Sequence, residues 1–100
     1  MRLVFSREAK ADLAKIGDWI AQHNPIRAVT FVDELEQRCV QLTTMPRAYP
    51  LVPRHEESGI RRRVYRGYLI FYRIRADPVE IAHVLNGAQD YEPILFPDEE

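Results

Sequence analysis

Apolar residues recur along this chain with two different periods, and the change between them divides it in two. Ala9, Leu13, Ile16 and Ile20 stand three or four residues apart, the spacing that stacks side chains on one face of a helix. Ser6 precedes them as a cap, and Glu8 sits in the first turn, where the helix dipole favours an acid. Trp19 lies beside this stripe, placed to pack or to line a groove. Ahead of the helix, Arg2-Leu3-Val4-Phe5 reads as a short strand. The helical pattern breaks at His23-Asn24-Pro25 and restarts at once, because asparagine at the cap and proline at the first helical position begin a helix. Ala28, Phe31, Val32, Leu35, Cys39 and Leu42 predict a second amphipathic helix running to about Thr44. With almost no linker, the two helices must fold back as a hairpin. Cys39 falls on the apolar stripe and reads as a core residue, not a nucleophile.

Pro46 to Gly59 holds three prolines and a glycine among charged residues and predicts a loop without regular structure. From Ile60 the period changes to that of strands. Ile60–Arg66 is one, Arg66-Gly67 a tight turn, Tyr68–Arg75 the next, Ala76-Asp77-Pro78 a second turn, and Val79–Asn86 the last strand. Tyr68-Leu69-Ile70-Phe71-Tyr72 is apolar on both faces, as a central strand covered on both sides must be. The hairpin can cover only one face. The other must meet a loop, the C-terminal segment or another molecule. The expected fold is α+β: an N-terminal strand, a helical hairpin, then a three-stranded antiparallel meander, in a sandwich of two layers.

One hundred residues fit a single domain, 1–100, with 93–100 as an acidic C-terminal tail. No apolar run is long enough to cross a bilayer, and the N-terminus turns charged too soon for a signal peptide. One cysteine cannot form an internal disulfide and fits a reducing cytoplasm, the expected location. The net charge of −1 hides an asymmetry: every base lies at or before Arg75, and residues 1–89 alone carry +4. Twelve of the fourteen bases are arginine, whose planar fork suits carboxylate or phosphate. Arg54 to Arg75 carries a local balance of +5, with Tyr65, Tyr68 and Tyr72 interleaved. Strand alternation puts Arg61 and Arg63 on one face and Arg62 on the other. Such a patch suits single-stranded RNA, the acidic residues of a partner protein, or plain solvation. His23, His55 and His83 have no metal-ligand spacing, so no metal or cofactor is expected. His23 is placed to bond the last carbonyls of the first helix, and His55 to join Glu56 and Glu57 in a mobile loop.

At this point the chain resembles the toxins of the ParE/RelE toxin–antitoxin superfamily. Ala9-Lys10-Ala11-Asp12-Leu13 with Ile16, Trp19 and Ile20 is similar to their first helix, and Asn24-Pro25 with Ala28, Phe31 and Leu35 to their second. Arg61-Arg62-Arg63-Val64-Tyr65, Tyr68-Leu69-Ile70-Phe71-Tyr72-Arg73-Ile74 and Val84-Leu85-Asn86-Gly87-Ala88-Gln89-Asp90 resemble the strands and ending of the ParE branch. The resemblance covers about residues 2–95. It implies a toxin neutralised by a ParD-like antitoxin, with DNA gyrase as target, no enzyme activity and no direct DNA binding. The RelE-like branch instead cuts messenger RNA with two arginines and a tyrosine. Leu69, Gln89 and Leu95 stand at those positions here and supply neither charge nor proton transfer. A ribosome-dependent messenger-RNA endonuclease with an altered site is the alternative. Asn86 and Gln89 depart from the histidine and arginine usual in the ParE ending. The residues expected to bind a partner are Trp19, Arg61, Arg63, Tyr65, Leu69, Phe71 and Arg73, through a strand added at a sheet edge or an amphipathic helix in an apolar groove.

Overall fold

A computed structural model describes residues 1–97. The elements run β1 (Leu3–Phe5), α1 (Arg7–Ala21), α2 (Pro25–Gln41), β2 (Arg61–Tyr65), β3 (Tyr68–Ile74), β4 (Val79–Asn86) and α3 (Glu92–Leu95). Both helix starts are capped as their sequences require. Ser6 Oγ accepts from the Ala9 amide at 2.9 Å, and Asn24 Oδ1 accepts from the Arg27 amide at 3.0 Å.

The four strands form one sheet in the order β1-β4-β3-β2. β2, β3 and β4 are the expected antiparallel meander, while β1 lies parallel to β4, Leu3 opposite Val79 and Phe5 opposite Ile81. Arg66 and Gly67 both take left-handed angles, φ 46° and 82°. That is the two-residue turn whose twist matches the strands it joins. A bulge sets Phe71 opposite His83 but Tyr72 opposite Ile81, leaving Ala82 as the extra residue. It shifts the alternation of β4, so Ile81 and Val84 both face the helices.

The sheet has two apolar faces. Ile70, Tyr72, Val79, Ile81 and Val84 pack under Leu13, Ile16, Phe31, Leu35, Cys39 and Leu42. Val52, Ile60, Leu69, Phe71 and Leu85 form a second cluster on the opposite face, against Tyr91, Leu95 and Phe96. Each fully buried large side chain contributes roughly 1.5–3 kcal/mol relative to exposure. Burial pushes the Cys39 thiol up to about 12, which fits a core residue and keeps it protonated.

The segment expected to be an irregular loop is more ordered than its prolines suggested. Val52 donates to the Ile60 carbonyl and Arg62 to the Pro50 carbonyl, both at 2.9 Å, and Leu51 bridges to Arg61. Glu56–Ser58 forms a short 3-10 turn. The reason is Val52, which is fully buried and pulls the segment against β2. Of the expected acidic tail, Pro93–Leu95 belong to α3 and residues 98–100 lie outside the described residues.

Candidate functional site

The first candidate surface is a groove between α1 and the end of β4. It has a volume of about 810 Å³ and is walled by Ile16, Trp19, Tyr68 and Val84, with Asp12 and His83 at its base. Trp19 stands on its rim 63% exposed, its indole edge-on to His23 at 6.4 Å. An indole this open leaves most of its apolar surface in contact with water. β1 is too short to pair all of β4, and side chains take over beyond it. Ser6 Oγ donates to the Ala82 carbonyl at 2.7 Å, and Asp12 Oδ2 accepts from the Val84 amide at 2.9 Å. Gln89 Oε1 accepts from the Asn86 amide at 3.1 Å. Asp12 Oδ2 also lies 2.8 Å from His83 Nδ1. No local pattern marks this Asp12–His83 pair, because the two residues meet only where α1 packs against β4.

The second surface joins α2 to the edge strand β2. Glu34 takes both arms of the Arg27 guanidinium and the Tyr65 hydroxyl, the latter at 2.6 Å, with Arg66 Nε at 3.9 Å. The hydrogen bonds from Arg27 and Tyr65 hold its carboxyl at about 2, well below the usual range. Tyr65 stacks on Phe31 at 6.1 Å and lies beneath the Arg38 guanidinium. Arg61 and Arg63 emerge on this same face, as alternation required. Arg61 donates to the Tyr49 carbonyl at 2.7 Å and Arg63 to the Arg38 carbonyl at 2.8 Å. Arg62 points the other way and donates to the Tyr91 hydroxyl. Arg73 does not join the group; its Nε sits 3.1 Å from Glu80, which also holds Arg75. Arg38 and Tyr49, both part of this surface, carried no marker in the sequence beyond their residue type.

Leu69 and Phe71 lie on the far face of the sheet, 9% and 0% exposed, beneath the C-terminal segment. A partner reaches them only by displacing α3. That segment is fastened at His55, which is buried rather than in an open loop: its Nε2 lies 2.8 Å from Glu92 Oε2, and its ring stacks on Phe96 at 4.0 Å. The hydrogen bond to His55, with help from Arg54, lowers the Glu92 carboxyl below its ordinary range. Among the described residues, no group of three or more histidines, cysteines or acids is arranged to hold a metal ion.

The family profile of the ParE toxin of the type II toxin–antitoxin system parDE matches residues 3–91. The chain belongs to the ParE toxin family. A solved structure described as the chromosomal ParDE TA system from P. aeruginosa has the same fold, with a TM-score of 0.73 and 20% sequence identity. The match covers 86% of this chain and 95% of that one. No curated protein matches. In this ParE chain the three positions that would carry ribonuclease chemistry in the RelE-like branch have structural roles. Leu69 and Leu95 are part of the apolar cluster on the far face, and Gln89 folds back on the Asn86 amide. Asn86, the other departure from the usual ParE ending, accepts from the Ala88 amide at 2.8 Å and so closes the same turn. No helix among the described residues is long and apolar enough to cross a membrane.

Proposed function

We propose that this ParE-family protein is the toxin of a type II pair, that it acts in the cytoplasm by binding DNA gyrase rather than by cutting RNA, and that a ParD-like antitoxin neutralises it. The observation that carries the non-catalytic reading is the fate of Leu69, Gln89 and Leu95. Two are packed into an apolar cluster and one closes a turn, so none offers a cation or a proton to a phosphodiester. The groove beside Trp19 supports the antitoxin reading. Its apolar walls and exposed indole suit the apolar face of an amphipathic helix. Strand addition at the uncovered part of β4 is disfavoured, since Ser6, Asp12 and Gln89 already satisfy its backbone. Strand addition at β2 remains open around Val64, which is 62% exposed. Tyr65 and the arginines flank that edge.

The test has two arms. Purified protein is added to gyrase supercoiling relaxed plasmid, and separately to translating ribosomes with transcript ends mapped. The expected result is loss of supercoiling, restored by the cognate antitoxin, and uncut transcripts. Codon-positioned cuts that vanish in the Arg61→Ala, Arg63→Ala double variant would overturn the reading in favour of a ribonuclease. Trp19→Ala is expected to weaken antitoxin binding by about 2 kcal/mol or more, as loss of a central aromatic anchor does.

A further inference from the structure

Arg38, Arg61 and Arg63 are half-buried, and among the described residues none of them pairs with a carboxylate. Other arginines have a carboxylate beside them: Arg27 and Arg66 share Glu34, and Arg73 and Arg75 share Glu80. The three are fixed by neutral groups instead. Arg61 and Arg63 each bond one backbone carbonyl, Arg63 lies over the Tyr49 ring at 4.9 Å, and Arg38 over the Tyr65 ring at 4.4 Å. A guanidinium carries five N–H donors in a rigid fork, so donors are left over on side chains already held in place. Partly desolvated cations without a counter-charge gain from a carboxylate, and hydrogen bonds between the two are among the stronger ones. Their field reaches the core. Arg61 and Arg63 both oppose the upward push that burial gives the Tyr72 phenol.

We propose that Arg38, Arg61 and Arg63 form a docking site for an extended acidic peptide segment with carboxylates at alternate positions. Arg61 and Arg63 are two residues apart on one face of β2. Along a strand that is roughly 6.5–7 Å, the same interval that separates every second side chain of an extended partner. β2 is an edge strand. Leu51 already bridges Arg61 and Pro50 accepts from the Arg62 amide, so main-chain pairing is available beyond them, where Val64 is exposed, while the Arg61 and Arg63 forks are offered on the face. A peptide uses both features, main-chain hydrogen bonds at the edge and carboxylates on the forks. A nucleic acid uses only the second, its phosphates on the forks. The source of the segment rests on the toxin–antitoxin reading, which makes it part of the antitoxin; the chemistry of the site does not.

The experiment uses the whole protein and a short fluorescent peptide with glutamate at alternate positions. A glutamine version and a single-stranded oligonucleotide of equal charge serve as comparisons, and binding is read by anisotropy at two salt concentrations. The glutamate peptide is expected to bind, more weakly in higher salt, and the glutamine peptide to fail. Arg61→Gln with Arg63→Gln is expected to weaken binding about tenfold or more, as for half-buried charge pairs, while Arg75→Gln leaves it unchanged. A thermal melt verifies that the double variant folds. If it does not, Arg38→Gln, which removes no hydrogen bond from that side chain to a neighbour, is expected to weaken binding about threefold by the same loss of charge. Equal binding of both peptides, indifference to these arginines, or tighter binding of the oligonucleotide at the same site would overturn the proposal. Peptide binding without gyrase inhibition removes the toxin reading and leaves the site standing. Gyrase inhibition without peptide binding removes only the site.

Discussion

At Glu34 one carboxylate ties α2 to the end of β2, through Arg27 on its own helix and Tyr65 across the gap. Its depressed pKa sets the sign of a pH effect. The link contributes stability above the ordinary glutamate range, near pH 4–5, and loses it as pH falls toward about 2, where the folded carboxyl takes its proton. A carbon-detected NMR titration is expected to place Glu34 near that value, and Arg27→Ala to move it back toward the ordinary range, since Arg27 is the largest cause. A Glu34 that titrates ordinarily in the unaltered protein would show the link absent in solution. At this scale the sequence was informative about faces and silent about partners. Alternation alone assigned Arg61 and Arg63 to one side and Arg62 to the other. It could not pair Arg73 with Glu80, or Asp12 with His83, because those choices depend on strand order and on the bulge at Ala82.

α3 is only four residues long, too short to persist unaided, and its place on the far face comes from what it touches. Tyr91 packs on Phe71 at 5.0 Å, Phe96 stacks on His55, and Glu92 meets His55 and Arg54. Phe96→Ala is expected to cost about 2 kcal/mol, the burial of part of one aromatic side chain. It should also raise binding of an apolar dye as Leu69 and Phe71 lose cover. Urea melts and dye fluorescence measure the two effects, and unchanged dye binding would mean that α3 does not depend on that stack. The helices and the meander were legible because each announces itself by a local period: Ala9 to Ile20, Ala28 to Leu42, and the runs on either side of Arg66-Gly67. α3 and the ordered stretch around Val52 were not, since neither has a period long enough to read. Each is ordered by a surface that exists only once the sheet has formed.

Across the whole molecule, the sheet joins the two ends of the chain. β1 near the start pairs with β4 near the finish, and Ser6 and Asp12 then bond the part of β4 that β1 does not reach. Such distant pairings form late, since the intervening chain must be ordered first. The element order was readable from the sequence, but the insertion of β4 between β1 and β3 was not, because no local pattern encodes which strand a three-residue segment will join. A chain ending before Val79, which lacks β4, is expected to give no cooperative melt by circular dichroism where the 100-residue chain gives one; an equally cooperative melt would show that β4 does not hold the sheet together. The parallel pairing of β1 with β4 also sets an order in time. While the protein is being made, β1 must wait for β4, whose Val79 pairs with Leu3, to leave the ribosome. Until then Ser6 and Asp12 also lack the backbone groups they bond, so a growing chain that stops short of Val79 has no complete sheet.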